Sequence, residues 1–508
     1  MASLMAQRRG IIGAAYVYLS LPVCIYFIGW LRPVVSVPMT LFFVYGTIIA
    51  IRNFNVEKLK TPAITAKQFI IVALMITVWV LLSGIGGFVW QNRFDHQFRN
   101  AVYLDLVHSD WPVVNESNTR MLVYYFGFWM PSALIGKAFG TEAGYVFQVI
   151  WALIGTGLAF CLMSYVLKKF SWVTMLLFIF FSGLDIIPFL GNVFNSGYPA
   201  PDAFTGSGIF PHIELEFRLF NSSSNTTLLF WVYNQTIPFW VGFLLILLQK
   251  NNRCLLFTYS LLALFAPLPM LGMLPAVVYI MLRNEGFKLN SIIKHQFNLQ
   301  NLAGIAQVII VALFYTTNIS AGLVEPLDLS AGTFWLFLYF FMVEFGLYLL
   351  WLYPSSKNNK LCIVLMVSTF FFNFVKVGVS FDFAWRATVP FMFFLMIFVM
   401  HKLLHEWKNT QLLKKVLIIL LLTAGAVTPL MEIARTVHNT AVIAIEQQNP
   451  GTYEEGSYQY TIAKQTCRLD YMERLVDTGD EIIEVVLAYK NFLGDASQAE
   501  YFNRYFRK

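Results

Sequence analysis

In the stretch QNRFDHQFRNAVYLDLVHSDWPVVNESNTR, Gln91 to Arg120, the residues Asn92, Asp95, His96 and Arg99 recur at steps of three and four. On a helix that spacing puts an amide, a carboxylate, an imidazole and a guanidinium on one face. Such a set can do acid–base chemistry on an anionic substrate. Asp95 would take a proton from an attacking hydroxyl, and Arg99 would neutralise a phosphate. The simpler reading of Asp95 and Arg99 is an ion pair that ties down a surface helix. Asp105 is a second candidate base, although ten residues on along a continuous helix it points about 80° away. His96 reads better as a hydrogen-bonded interfacial histidine than as a metal ligand, because His108 does not stand at ligand spacing from it. Asn100 would orient hydroxyls, and Trp111, just before Pro112, offers an aromatic face for a sugar or an interface anchor.

Polar residues elsewhere could join this set. Asp382 and Arg386 stand four apart in FDFAWRATVP, where Arg386 either pairs with Asp382 or grips a phosphate through its forked donors. Asn234 and Gln235 interrupt an apolar run and could bind sugar hydroxyls or link helices. Glu214 and Arg218, alternating with apolar residues after His212, are further substrate-binding candidates. Asp185 and Glu344 are expected to bond between helices, since an intramembrane charge is costly. Lys376 is another charge of this kind. No cofactor is demanded by these residues, and a divalent metal is compatible with the carboxylates.

The elements that must carry these residues follow from composition. The chain has 508 residues, 58% hydrophobic, 17% aromatic and 12% charged, with a mean hydropathy of +0.63. Those values indicate an all-α polytopic membrane protein, because runs apolar on every face exclude the alternating strands of a β-barrel. About 13 transmembrane helices fit at 10–31, 34–51, 68–90, 143–167, 172–188, 228–249, 254–266, 270–283, 302–318, 333–353, 361–376, 387–404 and 416–432. APLPMLGMLP (Ala266 to Pro275) is expected to turn between two short spans. Basic residues mark alternate connections, and the positive-inside rule makes these cytoplasmic. The loops 91–120, 189–227, 319–332 and 377–386 then share the other side. Met121 to Phe139 is apolar enough to cross, but that would invert most later loops, so it is expected to be interfacial or re-entrant. The formal charge of +7 is dispersed at helix ends, which argues against nucleic acid. The domain division is 1–436 for the membrane part, with 91–120 as its external site loop. Residues 437–508 form a small polar C-terminal segment, amphipathic near Leu475 to Phe492.

The acidic loop after an apolar span, followed by LVYYFGFWMPSALIGKAFG (Leu122 to Gly140), resembles the first external loop of the GT-C superfamily of polytopic glycosyltransferases, over about Phe69 to Leu167. The resemblance implies an inverting transferase that takes a sugar from a polyprenyl-phosphate donor. Its catalytic aspartate would map to Asp95 or Asp105, and a lipid-phosphate pocket would lie between loop and helices. Two spans precede the one leading into the loop, and no adjacent acidic pair or D-x-D occurs there. The acceptor would be a cell-envelope glycan or a lipid-linked molecule. The site would face the non-cytoplasmic side of the plasma (inner) membrane. The alternative is a secondary transporter or lipid-linked saccharide flippase, for which the chain lacks a convincing internal repeat.

Overall fold

A computed structural model describes the protein from residue 2 to 508, except for 61, 93–94, 116, 198–209, 218, 320–323, 327–329, 378–380 and 449–491. Its helices are α1 Ala2–Trp30, α2 Pro33–Asn53, α3 Ala66–Leu82, α4 Asp95–His108, α5 Met130–Phe139, α6 Thr141–Leu167, α7 Trp172–Phe180, α8 Ile186–Ser196, α9 Asn225–Leu248, α10 Leu255–Ser260 and α11 Pro267–Asn284. There follow α12 Leu289–Gln296, α13 Leu299–Thr316, α14 Ala331–Phe341, α15 Leu347–Leu352, α16 Ser355–Asn358, α17 Lys360–Phe372, α18 Asp382–Ala387, α19 Val389–Glu406, α20 Leu412–Gly425, α21 Val427–Gln448 and α22 Tyr501–Tyr505. Among the described residues eight helical stretches are long and apolar enough to cross a membrane, with Ala66–Leu82 and Lys360–Phe372 as shorter apolar helices. The chain is therefore mostly helical and multi-pass, with fewer such stretches than the 13 expected. The run 172–188 breaks between α7 and α8, and 254–266 holds only the six-residue α10 followed by turns.

The proline-rich segment departs from expectation in an instructive way. α11 starts at Pro267 and runs on through Pro275 as one helix. Pro267 and Pro269 fall in its first turn, where a missing N–H removes no intrahelical bond. The turn comes just before, at residues 261–265. α11 then crosses α18 closely, because a Cβ on Gly272 would run into the backbone of Ala387. Gly272→Val should force these helices apart. It is expected to cost about 1–3 kcal/mol, the usual overpacking penalty, and to appear as a lower thermal midpoint in detergent.

The helix α9 is one element by composition but two by geometry. Val232 leaves helical backbone, at φ −138° and ψ 40°. Trp240 Nε1 donates to Asn225 Oδ1 at 3.1 Å, and Thr236 Oγ1 donates to Leu228 O at 3.1 Å. A straight helix would hold residues 225 and 240 about 22 Å apart. The chain instead turns at Val232, so 225–231 and 233–248 are the two arms of a helical hairpin. Trp240, stacked on Trp79 at 5.6 Å and edged by Phe178 at 4.7 Å, packs the foot of that hairpin into the core.

Small pairings gather the connections at one end of the bundle. β1 Arg120–Leu122 pairs antiparallel with β4 Leu493–Asp495, and β2 Val324–Pro326 with β3 Val375–Val377. Arg32 N donates to Phe506 O, and Lys508 N to Trp30 O. The segment 121–139 stays at this end. It forms a short turn and the ten-residue α5, whose Lys137 Nζ donates to Ser109 O at 2.6 Å beside the end of α4. Its ten-residue helix is shorter than the roughly 20 residues of a full crossing. The opposite end joins Arg8 to Val56 O, Asn251 to Asn53 O and His405 to Leu167 O, amid the basic connections.

Candidate functional site

Asn92 starts α4 as a cap, its Oδ1 accepting from the backbone N–H groups of Asp95 and His96 at 2.9 and 3.3 Å. The helix then presents the expected face. Asp95 and Arg99 form an ion pair at 3.2 Å, with the carboxylate side chain 30% exposed and the guanidinium 4%. Burial works against the Arg99 charge, yet Asp95, then Tyr124 and Tyr233, hold its pKa above the ordinary arginine value.

The same face of α4 seals the break in α9. Phe230 O, close to the turn, accepts from His96 Nε2 at 2.6 Å and from Asn92 Nδ2 at 3.2 Å. Thr236 Oγ1 takes Val232 O at 3.0 Å as well as Leu228 O. A broken helix inside a bundle needs such substitutes for its lost backbone bonds. Since a carbonyl can only accept, His96 Nε2 carries the proton, and Nδ1 is left with a lone pair that has no partner among the described residues. Burial, then the Arg99 charge, push the His96 pKa down from 6.5 to about 3. The imidazole is thus neutral, and its contribution to folding, present above 6.5, is lost as pH falls towards 3.

Among the described residues, four buried polar atoms meet no partner around this hairpin tip: His96 Nδ1, Arg99 Nε, Asn234 Oδ1 and Gln235 Oε1. Asn234 uses only its amide nitrogen, donating to Tyr125 O at 3.3 Å. Gln235 and Arg386 line a small pocket with Leu228, Val232, Thr236, Phe239, Pro269 and Val389, enclosing about 190 Å³ with its mouth. Arg386 lies 4.0 Å from Asp382, a long contact, and its side chain is 15% exposed. Both ion pairs act on one neighbour. The Tyr124 hydroxyl, its pKa raised by burial first, feels Arg99, Asp95, Asp382 and Arg386 in turn. Tyr125 is likewise raised by burial and feels Asp382, Arg386 and Arg99. Asp95, Arg99 and Arg386 therefore act on one tyrosine pair, to which Asn234 is bonded, while His96, Gln235 and Arg386 stand at the helix break.

The other expected residues stand elsewhere. α4 continues unbroken to His108, so Asp105, buried, lies about 15 Å along the helix from Asp95 and round its side. Asn100 donates to Gln91 Oε1 at 2.8 Å, and Gln91 to Gly84 O at 2.5 Å, which braces the α3–α4 connection. Trp111 packs on Trp30 of α1 with Lys137 over its ring and Nε1 bonded to Leu106 O. Glu214 accepts from Ser224 N at 2.8 Å and Thr227 Oγ1 at 2.7 Å, capping the foot of the hairpin away from its tip. Arg218 lies outside the described residues. Among those described, no three His, Cys, Asp or Glu side chains gather as a metal set. Tyr124, Tyr125 and the turn at Val232 had not been singled out. The nearest signal was the interruption of an apolar run by Asn234, Gln235 and Pro238. Comparison with protein-family models, curated proteins and solved structures finds no match.

Proposed function

We propose that the chain is a GT-C-like membrane glycosyltransferase. It moves a sugar from a polyprenyl-phosphate donor to a glycan or lipid-linked acceptor at the non-cytoplasmic face of the plasma membrane. The observation that supports this reading is the hairpin tip, where donors and acceptors unmet among the described residues stand beside a partly exposed carboxylate and two guanidinium groups. Buried polar atoms without partners cost stability, and a polar ligand would satisfy them. The closed space of the pocket at Arg386 is about 10 Å³, room for roughly one water, so a phosphate headgroup would part the lining side chains to reach the guanidinium, with the sugar outside.

The proposed reaction is one displacement. Asp95 takes the proton of the acceptor hydroxyl as its oxygen bonds to the sugar's anomeric carbon, and the bond from that carbon to the phosphate oxygen breaks. Arg386, helped by Arg99, holds the charge left on the phosphate. The carbonyl oxygens of Asn234 and Gln235 and Nδ1 of His96 accept from sugar hydroxyls. Transfer of a labelled sugar from a polyprenyl-phosphate donor by protein in nanodiscs tests the proposal. Arg386→Lys keeps the charge but loses the fork, and is expected to lower kcat/KM by about 10-fold or more, as losing a charged hydrogen bond of 1.5–3 kcal/mol would. The broken helix also suits a transporter or flippase. Substrate flux across liposomes with no new glycosidic bond would establish that second reading in place of the first.

A further inference from the structure

Away from the hairpin tip, four carboxyl groups lie inside the bundle: Asp185, Glu214, Glu344 and Glu432, none more than 3% exposed. They come from four separate places: the α7–α8 connection, the segment before α9, the π-turn Met342–Gly346 between α14 and α15, and α21. The charged or titratable groups facing them are Arg435, His212 and Tyr348. Glu432 takes up both cations. It meets Arg435 Nη1 at 3.0 Å and His212 Nδ1 at 2.8 Å, with Trp231 Nε1 at 2.8 Å. Even with His212 charged, four carboxylates would face two cations among the described residues. An interior does not carry that excess, so protons or cations must make it up.

The hydrogen bonds indicate which group is protonated. Glu214 accepts two donors on Oε1. Asp185 Oδ2 accepts from Thr428 Oγ1 at 3.0 Å and Ser182 Oγ at 3.5 Å. Glu344, fully buried, meets no donor on either oxygen among the described residues. Its carboxyl fills the space beside Gly183, where a Cβ would collide with it, and it neighbours Asp185. Tyr348 does not reach it as a donor, because its hydroxyl goes to Ser182 O and Leu421 O. Asp185 Oδ2 already has two donors to hold its charge and Glu344 has none among the described residues, so the proton of the pair belongs on Glu344, which donates to the Asp185 carboxylate.

We propose that Asp185 and Glu344 form a proton-binding site inside the bundle, in which Glu344 holds an exchangeable proton and donates it to Asp185 in a hydrogen bond. This site is separate from the hairpin tip and does not depend on the transferase reading. Its ligand is the proton itself, because a proton is what lets the donor-free Glu344 bond to Asp185. Burial and the nearby Asp185 charge also push Glu214 up to about 7, in keeping with the excess of acid there.

Infrared difference spectroscopy on the full-length protein in nanodiscs reads the proton directly. About two pH units above neutrality, where Glu214 is ionised, the wild type should show the C=O stretch of a protonated carboxyl, shifting on exchange into D2O. Glu344→Gln, which keeps shape and a donor, should fold and lose that band. Asp185→Asn should keep the band at a shifted frequency. A wild type without the band, or a band that survives in Glu344→Gln, overturns the proposal. Thermal midpoints in sodium and in choline chloride give the second measure. A midpoint raised by sodium in the wild type and not in Glu344→Gln also overturns it, assigning the site to a metal cation.

Discussion

Asp95→Asn is expected to lower sugar transfer by about 10²–10⁴-fold, the range for losing a positioned general base, while the protein stays folded. The amide oxygen of asparagine can still accept from Arg99 Nη1, now 3.2 Å from the carboxylate, so the face of α4 survives. Asp95→Ala should differ in kind. It strands a guanidinium that is 4% exposed and whose Nε already lacks a partner, a loss approaching the roughly 3–5 kcal/mol of breaking a buried pair. Arg99→Met should cost less, because the carboxylate left behind is 30% exposed and can take up water. Turnover and thermal midpoint measured on all three variants separate the two roles. Asp95→Asn with near wild-type turnover would remove Asp95 as the base, and equal destabilisation by Asp95→Ala and Arg99→Met would refute the burial argument.

Local spacing made one face of the site readable in advance. Asn92, Asp95, His96 and Arg99 lie within two helical turns, so a 3.6-residue period alone places them together. Composition likewise gave the helical, multi-pass class, and the basic connections placed 121–139 at one end. The turn at Val232 was hidden because hydropathy averages over a window. Residues 225–248 are apolar enough to read as one span, and only the cross-arm bonds from Asn225 and Leu228 reveal the hairpin. The same averaging hides breaks within apolar runs, since one such as that between α7 and α8 leaves the local hydropathy almost unchanged. The interior acids were beyond reach for another reason. Asp185, Glu214, Glu344 and Glu432 meet through packing of distant segments, which no local period encodes. Asp185 and Glu344 could be singled out as costly charges, but their partnership could not.

Removing Phe492 to Lys508 is expected to undo the candidate site without touching any residue proposed to meet substrate. This segment returns to the bundle end as a clasp. Leu493 and Phe502 are fully buried and Phe492 nearly so, and burying three such side chains contributes roughly 5–9 kcal/mol as an upper figure. Phe492 stacks on Phe98 of α4 at 5.3 Å and on Tyr124 at 4.3 Å, and Phe502 edges Phe314 at 5.2 Å. The backbone bonds go further. Phe492 O accepts from Val123 N, Leu493 O from Ile319 N, and Asp495 N donates to Thr317 O. Deletion would leave those groups on 123, 317 and 319 without partners and free the Tyr124–Tyr125 pair that lies between the two ion pairs. New protease cleavage near 113–125 and loss of transfer are the expected readouts. Gly494→Val tests the same contact in the intact chain, because its Cβ would collide with the Val123 side chain and press on Thr317 O at 3.1 Å. That variant should lower the thermal midpoint by less than the deletion, yet reduce activity by more than its stability loss explains, since it pushes on the strand leading to Tyr124. A deletion that keeps the wild-type cleavage pattern and midpoint would show that 120–125 holds its shape unaided and that the clasp is incidental to the site.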